Sequence, residues 1–226
     1  MKRLILASLI GISSLFAVNS NFKSNMEKFV YNMPKQSLSN QEIKDLLHMR
    51  EEEKLARDVY LTLYQKWGLP VFRNIAKSER WHMQMVKFLL DKYGINDPVK
   101  SDKVGVFTNP HLQSLYNELV AKGSKSITDA LKVGATIEDL DIYDLDEAMK
   151  RSDNNDIDFV YSRLRWGSTN HMRAFVRFLN RYGETYTPKY ISQAEFEAIL
   201  NRNSKVNRNN FKRFNNQLPP CLRYTK

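Results

Sequence analysis

The sequence predicts an all-α fold built on four long helices, and three observations carry that prediction. Four separate stretches each show apolar residues recurring at alternating steps of three and four, which gathers them on one helix face. Capping residues and glycines punctuate those stretches where helices start and stop. Eight glycines and seven prolines in 226 residues are few for an all-β chain, and an apolar fraction of 42% is enough for a core.

The first long helix opens on a capping box, Ser39 with Glu42, beside a hydrophobic staple of Leu38 and Ile43. Its stripe is Leu46, Met49, Glu53, Ala56, Tyr60, Leu63 and Trp67, and Gly68 with Pro70 is expected to stop it. The second is expected over roughly 72–92, ending at Gly94, with Phe72, Ile75, Glu79, His82, Val86, Leu89 and Tyr93 in line. A polar connection through Asp97-Pro98 and Gly105 leads to a shorter helix, capped by Asn109 with Pro110 at its first position. Its face of Leu112, Leu115, Tyr116 and Leu119 has no central charge and reads as packing only.

The third long helix starts near Ser126 and aligns Ile127, Leu131, Gly134, Glu138, Asp141, Leu145 and Ala148. Gly134 implies a close neighbouring helix or a local kink, since glycine costs about 1 kcal/mol relative to alanine there. A break near Asp144 is also allowed. The fourth follows Ser152-Asp153 and aligns Ile157, Tyr161, Leu164, Ser168, His171, Phe175, Phe178 and Tyr182 before Gly183. Ser192 and Glu195 then cap a short C-terminal helix ending near Leu200. Glu51, Glu52, Asp139 and Asp144 lie off the stripes and are expected to face water.

The domain is thus expected over 38–200, with 21–37 as a polar linker containing Pro34. Residues 1–20 read as a signal peptide: Lys2 and Arg3, then an apolar run from 4 to 18, then Asn19-Ser20. The expectation is an exported, periplasmic protein, with an uncleaved N-terminal anchor as the alternative. The formal charge of +10 comes from the ends, +4 over residues 1–40 and +7 over 201–226. The tail is expected to be disordered, and it suits anionic surfaces. Nucleic acid is not an expected partner at that address. Cys221 is the only cysteine, which excludes an intramolecular disulfide and a thiolate metal cluster.

Each of the four stripes is interrupted by polar residues near its middle. The interruptions are Glu53, Glu79 with His82, Glu138 with Asp141, and Ser168 with His171. In an antiparallel bundle, mid-helix positions share one level, so these side chains are expected to converge. Four carboxylates there would repel one another and climb in pKa. Two divalent cations neutralise them, and the carboxylate–imidazole donor set suits iron or manganese. Metal ligands are therefore expected at Glu53, Glu79, His82, Glu138, Asp141 and His171.

These motifs resemble the ferritin-like superfamily, with rubrerythrin nearest in spacing. Its first helix carries Glu, Ala, Arg and Tyr as at Glu53, Ala56, Arg57 and Tyr60. Its Glu-x-x-His matches Glu79 and His82, and its Glu-x-x-Glu matches Glu138 and Asp141. Its second Glu-x-x-His meets Ser168 and His171 here, so one carboxylate is missing. Residues 49–60, 105–110, 136–145 and 170–175 also resemble a prokaryotic ferritin-like family known as a domain of unknown function.

The resemblance implies a ferritin-like four-helix bundle with a helical crossover and a short C-terminal helix. It also implies a carboxylate-bridged pair of iron ions, or of manganese, acting on dioxygen or peroxide. One cysteine cannot hold a rubredoxin iron, so a redox role needs an external electron donor. A homodimer is allowed. Two other classes stay open: non-catalytic metal binding or iron handling, and a helical interaction module with a degenerate site.

Overall fold

The computed structural model describes residues 23–201. The signal-peptide reading of 1–20, the tail beyond Asn201 and Cys221 lie outside the described residues. The described residues contain helices and no strand, and none of these helices is long and apolar enough to cross a membrane. Residues 23–32, read from sequence as linker, form helix α1. The linker reading overlooked Met26, Phe29, Val30 and Met33, which recur at steps of three and one.

Pro34–Asn201 forms a separate compact unit. Its helices are α2 (Asn40–Trp67), α3 (Pro70–Tyr93), α4 (Pro110–Gly123), α5 (Ile127–Arg151), α6 (Asn155–Arg181) and α7 (Gln193–Leu200). At the start of α2, Ser39 Oγ accepts from Glu42 N at 3.1 Å and Glu42 Oε2 accepts from Ser39 N at 2.8 Å. Such a cap contributes about 1 kcal/mol. Gly68, at φ +65°, ends α2 in the left-handed conformation that glycine adopts without penalty. Pro70, expected as a stop signal, instead opens α3. At the first helical position its missing N–H costs nothing, and its fixed φ suits the helix.

Cross-links between the long helices give their directions. The link from α2 to α3 is two residues long, and Arg50 Nη1 donates to Met83 O (3.1 Å) while Arg73 reaches Tyr64 (3.3 Å). On α2 and α5, Asp45 pairs with Arg151 (3.0 Å) and Tyr60 with Glu138 (2.6 Å). On α3 and α6, Lys92 pairs with Asp156 (2.6 Å), and His82 stacks on His171. Arg165 of α6 bonds to Asp146 of α5, at 2.5 and 2.8 Å. Each neighbouring pair is therefore antiparallel. Helices α3 and α5 run the same way, so 94–126 must travel back along the unit, with α4 packing on α2 and α5.

Apolar side chains fill the interior on both sides of mid-helix. Leu46, Leu89, Leu145 and Ile157 lie towards one end, and Leu63, Phe72, Leu131 and Leu179 towards the other. Each contributes roughly 1.5–3 kcal/mol by burial. Helix α5 is continuous through Asp144. Gly134 marks a close approach rather than a kink, because a Cβ there would stand 2.5 Å from the Phe175 ring.

Two off-stripe residues do not face water. Asp139 is fully buried and accepts from Tyr186 Oη (2.8 Å), Lys189 N (2.5 Å) and Ile191 N (3.0 Å). It ties the segment after α6 onto α5, a role invisible to helix periodicity. Glu52 is turned inward against Asp144 and the mid-helix level, with 10% of its side chain exposed.

Candidate metal centre

The two histidines lie on antiparallel helices and meet at the middle, with ring centroids 5.5 Å apart and planes 27° from parallel. Glu79, one turn before His82 on α3, stands between them. Its Oε2 is 2.8 Å from His82 Nδ1 and its Oε1 is 2.9 Å from His171 Nδ1. Glu53 of α2 brings Oε2 to 3.2 Å from His82 Nδ1, and Glu138 of α5 brings Oε2 to 3.3 Å from His171 Nδ1. The result is two equivalent halves. Each has one imidazole, one carboxylate of its own and one oxygen of Glu79.

All five of these residues are buried. Asp141, the sixth residue expected from sequence, is half-buried at the edge of this group, where it accepts a short hydrogen bond from Ser168 Oγ. Ser168 Oγ also lies 3.0 Å from Leu164 O. The position that lacks a carboxylate relative to the rubrerythrin pattern thus holds its neighbour's carboxylate by a hydrogen bond.

Glu79, His82 and His171 each bring a ligand atom within 4.8 Å of the others, a set able to hold a cation. Donors of about 2.1 Å reach around one octahedral ion stand roughly 3 Å apart, a spacing that the four nitrogen–oxygen separations of 2.8–3.3 Å share with the ion pairs these groups make without a metal. Glu53 Oε1 is buried without a hydrogen-bond partner, and the polar neighbour of buried Glu79 Oε1 is His171 Nδ1 at 2.9 Å. Unsatisfied buried carboxylate oxygens are costly. Glu53 and Glu79 line one cavity, and a cation beside Glu53 would satisfy its free oxygen.

With protons as the only counterions, the group is electrostatically divided. Burial pushes the Glu53 carboxyl up to about 8 against the pull of His82, and that of Glu138 up to about 7 against His171. Burial also acts on Glu79, but the two flanking imidazoles outweigh it and hold this carboxyl well below the ordinary range. Burial opposes protonation of His171, yet Glu79 and Glu138 hold its proton up to about 10. Asp141 is raised by burial and by the charges of Glu53 and Glu138. Tyr60 donates to Glu138 Oε1 at 2.6 Å, and burial holds its phenol well above the usual range.

Two supporting features escaped the sequence reading. A Cβ on Gly167 would stand 2.4 Å from His82 Nε2, so only glycine leaves room for that imidazole. Its signal was available as a glycine inside a long helix, a costly choice unless something packs there. Glu52 lines, with Glu53, Glu79, Glu138 and Asp141, a cavity of about 60 Å³. Leu115 and Leu119 of α4, Ile137, Leu140 and Tyr190 are among its other wall residues. The packing face of α4 therefore also shapes the approach to the carboxylates. That volume accommodates water-sized molecules.

Comparison with known proteins finds relatives described as uncharacterized or hypothetical. It is 59% identical over 180 residues to the uncharacterized protein MJ0754 of Methanocaldococcus jannaschii, covering 80% of this chain and 97% of the relative. The crystal structure of hypothetical protein MJ0754 superposes with a TM-score of 0.74 at 62% identity, covering 75% of this chain and 97% of that one. Residues 42–203 match the family described as "Uncharacterized protein domain (DUF2202)". That stretch takes in all five convergent residues and Asp141, and the chain belongs to this family.

Proposed function

We propose that the chain is a ferritin-like four-helix bundle that binds two divalent cations, iron or manganese, between α2, α3, α5 and α6. The observation that carries this reading is Glu79, whose two oxygens each face a different imidazole at 2.8 and 2.9 Å. Glu-x-x-His motifs on bundle helices serve such pairs. His82 and Glu53 would hold one ion, His171 and Glu138 the other, with Glu79 shared and Asp141 at the edge.

Bound iron or manganese supplies one-electron and oxygen chemistry, and redox reaction with dioxygen or peroxide is the proposed activity. The chain's own part is positional. Tyr60 orients Glu138 and keeps its proton. Phe72, Phe175 and Tyr60 close one side of the level with rings 5.3–6.4 Å apart, which excludes water. The apolar walls beside α4 admit small uncharged molecules. With one cysteine, electrons would come from an external donor. The export reading of the N-terminus makes a periplasmic setting part of the proposal.

The test is metal analysis of protein isolated from its native compartment, with titration of the metal-free chain. Two ions per chain are expected at the buried level. Glu79→Gln should lose both, because both halves use it, while His171→Ala should lose one. Absence of iron and manganese from the native protein, together with no uptake in titration, defeats the proposal.

A further inference from the structure

Beside the buried group, His48 and Glu52 lie one turn apart on α2, and Asp144 reaches them from the antiparallel α5. We propose that His48, Glu52 and Asp144 form a third divalent-cation site, at the rim of the cavity, that loads the buried centre. The site itself stands on this juxtaposition alone; its loading role rests on the dinuclear reading above.

His48 Nε2 lies 3.4 Å from Glu52 Oε2 and 3.9 Å from Asp144 Oδ2, and one donor atom from each residue falls within 4.8 Å of the others. These separations are long for charge-assisted hydrogen bonds, which run at about 2.7–2.9 Å. They suit three donors facing a common point, since bonds of about 2.1 Å in tetrahedral geometry put donors roughly 3.4 Å apart. Glu52 Oε2 is buried and has no hydrogen-bond partner, with 10% of its side chain exposed. That oxygen is aimed into the cluster, where His48 Nε2 at 3.4 Å faces it without hydrogen-bond geometry.

Access differs from that of the buried group. The side chains of His48 and Asp144 are 54% and 26% exposed, so an ion reaches them directly from solvent. Glu52 also lines the cavity shared with Glu53, Glu79, Glu138 and Asp141. It therefore belongs to the outer cluster and borders the cavity that the inner one lines. One imidazole and two carboxylates neutralise a divalent ion and suit borderline cations such as manganese, iron(II) or zinc over calcium or magnesium. The competing occupant is a proton, giving an imidazolium held between two carboxylates.

Mn2+ titration of the metal-free full chain separates these readings, with bound ions counted at equilibrium and magnetic resonance distinguishing an isolated ion from a coupled pair. Three ions are expected in the wild type. In His48→Ala and in Asp144→Asn two remain, the isolated signal is gone, and the pair fills at least tenfold more slowly. An unchanged melting temperature of the metal-free variants verifies their folding. The same count and filling rate in both variants as in wild type overturns the proposal while leaving the buried pair intact. Uptake of a single ion, lost in His48→Ala but kept in Glu79→Gln, upholds the outer site and overturns its loading role together with the dinuclear reading.

Discussion

Glu53 and Lys54 are neighbours on α2, each 2% exposed, yet they belong to opposite kinds of buried charge. Lys54 uses all three of its protons, donating to Asp58 Oδ2 (2.5 Å), Lys103 O (3.1 Å) and Val106 O (3.0 Å). Arg57 donates to Asp58 Oδ1 at 2.8 Å and to the carboxylate of Asp102, and Asp58 also accepts from Gly105 N at 3.0 Å. Two cations face two anions, and the cluster fastens the returning segment 102–106 to α2. Around Glu53, three fully buried carboxylates and the half-buried Asp141 meet only two imidazoles, and Glu53 Oε1 has no hydrogen-bond partner. Charge that holds a fold together is matched on the spot; charge left unmatched marks the place for a ligand.

The largest expected effect tests that contrast directly. Asp58→Ala leaves buried Lys54 without a carboxylate and Arg57 with Asp102 alone, and should cost about 3–5 kcal/mol, read as a lowered midpoint in urea. Glu53→Gln, a nearly isosteric change, replaces a carboxyl that burial keeps protonated up to about pH 8 with a neutral amide, and so removes the cost of holding that proton. In metal-free protein its stability should equal or exceed wild type. A loss from Glu53→Gln as large as that from Asp58→Ala would show that the two clusters are alike.

The next effect depends on pH. Between about 4.5 and 8, folded Glu53 keeps a proton that the unfolded chain has released, and Glu138 does so up to about 7. His171 does the same between about 6.5 and 10. The folded state binds more protons throughout, so metal-free stability should fall as pH rises from 5 to 9. Cations displace the same protons, so their affinity should rise over that range. At 100 times the dissociation constant, an ion adds about 2.7 kcal/mol. Melting curves with and without Mn2+ should therefore diverge as pH increases, and converging curves would refute the assignment.

Smaller again is Gly167→Ala. Its Cβ would meet His82 Nε2 at 2.4 Å and turn the imidazole away from Glu79. Metal affinity should drop about tenfold, in the range typical of residues that orient ligands. Metal-free stability should change little, because alanine's helix propensity offsets part of the clash. Equal affinity in calorimetric titration would show that the imidazole position is not fixed by Gly167.

Helix order and the mid-helix polar level were legible because both follow from periodicity and caps, which are local. Five of the six expected residues converge because they share one stripe position on antiparallel helices. Periodicity cannot report what approaches a helix from outside its core face. Asp139 is off-stripe but buried by the segment after α6, and Glu52 is off-stripe but covered by α5. Pro70 reads equally as a stop or a first helical residue, and only the two-residue link to α2 decides it. Residues 23–32 were missed because the apolar repeat is short and the flanking residues are polar.

Ser168 gives the smallest effect and the sharpest division within the site. Its hydroxyl has one proton and two oxygens in reach, Asp141 Oδ2 and Leu164 O. Ser168→Ala removes one hydrogen bond to a half-buried carboxyl, a change of roughly 0.5–1.5 kcal/mol at most. Glu53, Glu79, His82, Glu138 and His171 make their mutual contacts without Ser168, so metal affinity should stay within about threefold, well under the 1.4 kcal/mol of a tenfold change. A tenfold loss would mean that the hydroxyl positions Asp141 as a ligand, and the boundary between matched and unmatched charge would then include the α5–α6 contact. Unchanged affinity leaves Asp141 at the rim, facing the cavity with Glu52, where an arriving cation meets it before the buried pair.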